Sequence, residues 1–192
     1  YIAIDIPPSR FESTVRMLFD VGFSGFNVTI PHKEKALALA DDISPEAQRI
    51  GAANTLIKTD NGKIRGDNTD GYGFMTNLIS QINTWHPAAG PSLVLGAGGA
   101  ARAILVALLD AGVPKIYLCN RTRDRAEDLA GDISDCIEVI DWQDKEEILP
   151  KVFTVVNTTS LGMTGKPALE FDLTNINPRA LVADLIYAPL ET

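Results

Sequence analysis

Along this chain short apolar runs alternate with segments whose apolar residues recur every three or four positions, the pattern of strands threaded with amphipathic helices. YIAIDI, residues 1–6, reads as a strand, and Ser9 with Glu12 three positions later has the form of a capping box for a helix running to Gly22. GFNVTI, residues 25–30, is β-branched and apolar enough for a buried strand, and Pro31 suits the first turn of a helix carrying KEKALALA. Ser44 followed by Pro45 opens another short helix. NTLIKTDNGKIRGD, residues 54–67, reads as a hairpin around Asp60, Asn61 and Gly62. Asp70 is placed to cap a helix over GYGFMTNLISQI. WHPAAGP, residues 85–91, carries the strongest linker signal, so two domains are expected, 1–85 and 86–192.

Beyond the linker the pattern becomes regular. Strands over SLVLGAG, KIYLCN and CIEVID alternate with helices over residues 100–112 and 124–130, and TVVNTT (154–159) and LVADLIY (181–187) supply two more strands. Such alternation predicts a parallel sheet with crossover helices, hence an α/β protein in which a small α/β domain precedes a doubly wound, Rossmann-type domain.

Composition narrows the function. The 192 residues are 45% hydrophobic and 22% charged, ordinary for a globular protein, and no window approaches the roughly 20 apolar residues of a membrane span. A net charge of −8 disfavours nucleic acid or an anionic membrane as the main partner while leaving room for a local basic pocket. Cys119 and Cys136 lie in strand-like text and read as reduced thiols, and the first residues carry no basic-then-apolar leader. A cytoplasmic location is expected, with no metal site.

GAGGAA, residues 96–101, follows a strand and opens a helix. Gly96, Gly98 and Ala101 fit G-x-G-x-x-G/A, and Ala97, Gly99 and Ala100 complete a turn in which backbone N–H groups and the helix dipole suit a pyrophosphate. In an NAD site the next strand ends in an acid that bonds the ribose hydroxyl. Here it ends in CNRTRDR, so Asn120, Arg121, Thr122 and Arg125 stand where a carboxylate would be, which favours the 2′-phosphate of NADP. The plainer reading of Arg123 and Arg125 is a solvated helix start opposite Asp124 and Glu127. Lys33 falls in a first helical turn, where the dipole makes a cation unfavourable by roughly 0.3–1 kcal/mol. Taken alone it is a surface lysine beside Glu34 and Lys35, Asp70 an N-cap, Thr29 a strand residue and Asn54 a turn residue.

Together the motifs say more. NVTIPHK (27–33), GAANT (51–55), GDNTDG (66–71), GAGGAARA (96–103), NRT (120–122) and DLIYAPLET (184–192) occur in that order, and the whole chain resembles the shikimate dehydrogenase family. The resemblance implies an NADP-dependent oxidoreductase acting on a CH–OH group, reversibly reducing 3-dehydroshikimate to shikimate in aromatic amino-acid biosynthesis. It implies Lys33 and Asp70 as the catalytic pair, and Thr29, Asn54 and Tyr187 as substrate contacts. Leu185 would meet the nicotinamide end, Met163 would be its neighbour, and Asn157, Thr158 and Thr159 match a cofactor-cleft loop. His32 and His86 match no role. A monomer or homodimer is expected.

Relative to the family pattern, the chain starts after a Ser-Leu-Ser-Pro loop that holds the substrate carboxylate, and stops before a final strand and a helix carrying a substrate-binding Gln. A chain shortened at both ends, with weakened substrate affinity, is expected. Three alternatives stay open: a quinate/shikimate dehydrogenase accepting NAD, against which Asn120-Arg121-Thr122 argues; a non-catalytic shikimate-binding sensor, against which the presence of both Lys33 and Asp70 argues; and a Rossmann enzyme for an unrelated carbonyl.

Overall fold

Phe11, Val15 and Phe19 recur at four-residue spacing and form the buried face of helix α1 (Phe11–Asp20). The computed structural model describes residues 1–189, and the chain divides into two compact units, residues 1–71 and the residues from Tyr72 onward.

In the first unit β1 (Gly25–Asn27), α2 (Lys33–Leu39), β2 (Asp42–Ile43), α3 (Pro45–Ile50), β3 (Thr55–Lys58) and β4 (Ile64–Asp67) follow α1. The strands form one sheet in the order β1-β3-β4-β2, with β3 and β4 as the expected hairpin and β2 parallel to β4. Ala36 and Leu39 of α2 join Val28, Ala53, Leu56, Ile64 and the face of α1 in the core. Burying one such Leu, Ile or Phe stabilises by about 1.5–3 kcal/mol relative to leaving it exposed. Ser44 caps α3 as expected, its Oγ accepting from Ala47 N at 3.1 Å.

Several local expectations are corrected. Residues 1–6 form no strand, because no described strand pairs with them; Tyr1, Ile2 and Ile4 are exposed. The Ser9–Glu12 capping box does not form: Pro8–Arg10 makes a 3-10 turn, α1 begins at Phe11, and Glu12 pairs with Arg16 at 3.1 Å. β1 ends at Asn27 rather than continuing to Ile30. Helix α2 starts at Lys33 rather than at Pro31, with His32 at its N-cap and a cis peptide between Ile30 and Pro31.

α4 (Asp70–Gln81) begins at the end of the first unit, and its Phe74 and Leu78 pack in the core of the second. The expected linker at 85–91 therefore lies within the second unit, where Pro87–Ala89 form a 3-10 turn and Trp85 Nε1 donates to Thr154 Oγ1 at 3.0 Å. Next come β5 (Ser92–Leu95), α5 (Gly99–Asp110), β6 (Ile116–Cys119), α6 (Arg123–Ile133), β7 (Ile137–Ile140), β8 (Thr154–Asn157) and β9 (Leu181–Asp184). The five strands are parallel throughout, in the order β7-β6-β5-β8-β9. This is the expected Rossmann-type sheet. Because successive side chains alternate, Val94, Leu118 and Val156 meet α4, α5 and α6 on one face, while Leu93, Leu95, Cys119 and Val155 meet Leu149 and Val152 on the other. That second face is covered by two 3-10 turns, Trp142–Asp144 and Leu149–Lys151, in place of a long crossover helix. Strand order reverses between β5 and β8, and ligands of open α/β sheets bind outside the carboxyl ends of strands at such a point. Among the described residues, no helix is long and apolar enough to cross a membrane.

Candidate active site

Lys33 opens α2, and its Nζ donates to Asp70 Oδ2 at 2.6 Å. The pair is largely withdrawn from water, with side chains 11% and 29% exposed. A cation at a helix N-terminus opposes the dipole, so the carboxylate offsets both that penalty and the loss of hydration. Asp70 itself is held on both sides: Asn54 Nδ2 donates to its Oδ1 at 2.9 Å, and its backbone N–H goes to Asn68 Oδ1 at 3.0 Å. The expected N-cap role of Asp70 is thus corrected, since it is the first residue of α4 and spends its carboxylate on Lys33 and Asn54. Asn68 takes the turn role instead and, with Nδ2 donating to Ala52 O at 2.8 Å, anchors the start of α4 to the GAANT segment. The sequence reading missed Asn68; its one signal was its place inside GDNTDG.

The backbone of GAANT closes the arrangement. Ala53 N donates to Lys33 O at 2.9 Å, and Asn54 O accepts from Val28 N at 2.6 Å. Asn54 Nδ2 also reaches Thr69 Oγ1 at 3.1 Å, while its Oδ1 accepts from Thr69 N at 3.1 Å. Lys33, Asn54 and Asp70 are thereby brought together, and the exposed Thr29 sits one turn ahead, its carbonyl accepting from His32 N at 2.9 Å. His32 is buried, stacked on Phe11 with ring centroids 4.6 Å apart, and its Nε2 donates to Ile6 O at 2.8 Å. An ammonium carries three N–H donors. Among the described residues Asp70 is the one partner of Lys33 Nζ, which leaves two donors for an oxygen of a bound molecule.

In the second unit Gly96 follows β5 with φ +105°, a conformation that L side chains rarely adopt, and a Cβ there would stand 2.7 Å from Thr158 Oγ1. Gly98 differs: its backbone is extended, and a Cβ would meet nothing within 4 Å, so the turn opens onto free space. No side chain caps α5, whose first N–H groups and dipole face that space. Gly96, Ala97, Gly98, Gly99 and Ala100 therefore fit a pyrophosphate. At the end of β6, Arg123 is committed to Asp141 at 2.7 Å and Glu127 at 2.6 Å, hydrogen bonds that hold its guanidinium above its ordinary pKa, Asp141 contributing most. Arg121 and Arg125 are exposed and take no such partner among the described residues. Asn120 Nδ2 donates to Thr122 O at 2.8 Å, and Thr122 stands at the N-cap of α6 without spending its hydroxyl on the cap. Two free guanidinium groups beside a Gly-rich turn are the donor set a 2′-phosphate requires.

Thr158 Oγ1 donates to Leu95 O at 2.7 Å, and Leu185 N donates to Asn157 O at 3.1 Å. Met163 is half-buried, Tyr187 is exposed, and Thr164 N donates to Ala188 O at 2.9 Å, so these stretches adjoin. Leu190, Glu191 and Thr192 of the terminal motif lie outside the described residues.

Comparison with known proteins places the chain in a family. The family model for the shikimate dehydrogenase substrate binding domain matches residues 1–56, and that for shikimate / quinate 5-dehydrogenase matches residues 84–164. The NADP(+)-dependent shikimate dehydrogenase of Roseobacter denitrificans is 50% identical over all of this chain, which spans 69% of that protein. The chain belongs to the shikimate dehydrogenase family. Among solved structures of the family, shikimate 5-dehydrogenase from Thermus thermophilus in complex with NADP(H) and shikimate matches with TM-score 0.81 at 36% identity, covering 96% of this chain and 66% of its own. Quinate dehydrogenase from Corynebacterium glutamicum in complex with NAD matches with TM-score 0.84 at 30% identity, covering 94% and 65%.

Proposed function

We propose that this chain supplies the catalytic pair and the cofactor cleft of an NADP-dependent shikimate dehydrogenase, which interconverts 3-dehydroshikimate and shikimate in aromatic amino-acid biosynthesis. The reading is carried by the Lys33–Asp70 pair, a part-buried ammonium held by one carboxylate oxygen with two N–H donors to spare. Bound NADPH supplies the hydride for the carbonyl carbon. As the carbonyl electron pair moves onto oxygen, Lys33 Nζ stabilises the developing charge and gives that oxygen a proton; in the reverse direction Nζ accepts the proton from the hydroxyl. Asp70 keeps the ammonium aimed, and Asn54, donating to the other oxygen of Asp70, keeps the carboxylate aimed. The exposed hydroxyl of Thr29 and the ring of Tyr187 are assigned to substrate. Leu185 and Met163 are assigned to the nicotinamide end.

Cofactor choice rests on Arg121 and Arg125, with Asn120 and Thr122 completing the 2′-phosphate pocket. The deciding experiment follows NADPH formation from shikimate and NADP⁺, with quinate and NAD⁺ as the other arms. Turnover with shikimate and NADP⁺ that disappears in Lys33→Ala is expected. Equal turnover with quinate and NAD⁺ would move the assignment to the broader dehydrogenase, and NADPH binding without turnover of any pair would leave a ligand sensor.

A further inference from the structure

Strand order fixes where each part of a dinucleotide must lie along the carboxyl edge of the second sheet. Arg121 follows β6, the Gly96–Gly98 turn follows β5, and β8 and β9 come next, so a molecule with its 2′-phosphate at β6 and its pyrophosphate at β5 extends its far end towards β8 and β9. There Asn157 and Asp184 are the last register partners of the two strands, and Asn157 Nδ2 donates to Asp184 Oδ1 at 3.1 Å.

We propose that Asp184 is a positioning residue for the nicotinamide end of the cofactor, acting through Asn157 and the Leu185–Ile186 backbone. The inference rests on the NADP reading above. Asn157 is 4% exposed, and its orientation is decided on one side: Oδ1 accepts from Thr159 N at 3.0 Å and from Thr159 Oγ1 at 2.8 Å. A backbone N–H can only donate, so the amide cannot flip, and Nδ2 must face Asp184. The same carboxylate oxygen accepts from Ile186 N at 2.9 Å. Asp184 thus joins the loop that follows β8 to the chain that follows β9. That loop is tied in turn to the pyrophosphate turn, because its neighbour Thr158 donates to Leu95 O and stands against Gly96. The two strand ends are already joined by Leu185 N donating to Asn157 O at 3.1 Å, and the carboxylate adds the side-chain tie that holds the Asn157 amide and the Ile186 N–H, so the placement and tilt of the nicotinamide depend on it. Misplacement of about 1 Å is enough to cost on the order of 10²-fold in rate.

The test compares Asp184→Ala, which removes the acceptor, with Asp184→Asn, which keeps an acceptor oxygen in place. Adenosine 2′,5′-bisphosphate serves as a probe of the adenylate half of the site, and 4-deuterated NADPH reports on hydride transfer. For Asp184→Ala, kcat falls on the order of 10²-fold and the deuterium isotope effect on kcat rises, while bisphosphate affinity stays at the wild-type value; Asp184→Asn restores most of kcat. Unchanged kcat in Asp184→Ala, or bisphosphate affinity lost in step with activity, overturns the proposal. Should Asp184→Ala fail to fold, Asn157→Asp, which sets a second carboxylate against the first, must show the same split. Wild-type protein that does not bind the bisphosphate would instead overturn the NADP reading itself.

Discussion

Lys33 donates to Asp70 at 2.6 Å although 37 positions separate them, and the first residue of one helix is thereby joined to the first residue of another. Each is held from the GAANT side as well, Lys33 by its carbonyl and Asp70 by the amide of Asn54. Removing either end of the pair should therefore separate catalysis from cofactor binding. Lys33→Ala should lower kcat by about 10²–10⁴-fold, the range of lost general acid–base help, and Asp70→Asn should lower it less, because an amide oxygen still accepts from Nζ. NADPH affinity, read by fluorescence titration, should be unchanged in both. A comparable fall in NADPH affinity would show that the pair serves the fold instead.

Arg121 and Arg123 are two positions apart and differ in commitment. Arg123 is spent on Asp141 and Glu127, whereas Arg121 has no such partner among the described residues. Arg121→Ala should weaken NADPH binding about 10–100-fold with little effect on NADH, the loss expected for charge-assisted bonds to a phosphate. Arg123→Ala should leave the ratio of NADPH to NADH affinity at its wild-type value. Calorimetric titration of both cofactors against both variants checks this.

At Gly96 a methyl group meets two obstacles, a φ of +105° and the Thr158 hydroxyl 2.7 Å away. Gly96→Ala should destabilise the protein by about 1–3 kcal/mol and impair NADPH binding, measured by urea denaturation and titration. Gly98→Ala, whose Cβ meets no protein atom, should be nearly neutral for stability while still weakening NADPH binding. Equal stability losses for the two would contradict this account.

Burial pushes the Cys119 thiol up to about 12 from an ordinary 9.0, against a smaller opposing effect of Lys145. Its folded value lies above its unfolded one, so the associated stability is present below pH 9.0 and is lost as pH rises towards about 12. The full effect is about 4 kcal/mol, from about 1.36 kcal/mol per pH unit. Above pH 9 the urea midpoint of the wild type should fall more steeply than that of Cys119→Ala. At neutral pH a thiol reagent should modify the exposed Cys136 and spare Cys119 until the protein is unfolded.

The second unit was the more legible. Its central strands β5 and β8 are buried on both faces and read as continuous apolar runs, its helices are long enough to show their period, and glycines mark the turn between them. In the first unit β2 is two residues long, too short for any pattern, and residues 1–6 have the alternation of a strand without a described partner to pair with. Asp70 had the spacing of a cap and became an ion-pair partner, because packing brings Lys33 Nζ and the Asn54 amide to its two carboxylate oxygens. Nothing near Asp184 in the sequence points to Asn157, since β8 and β9 become neighbours only when the sheet forms.

By itself the sequence determined the α/β class, the Gly-rich turn after β5, the basic ending of β6 and the order of motifs that marks the family, because each depends on residue type at short spacing. Only tertiary structure decided which side chains are spent and which remain available. Arg123 and Arg121 have the same guanidinium, and Asp70 and Asp184 the same carboxylate. What separates them is the company that packing brings to each, and hydrogen-bond donors left over after folding are the ones a ligand can use.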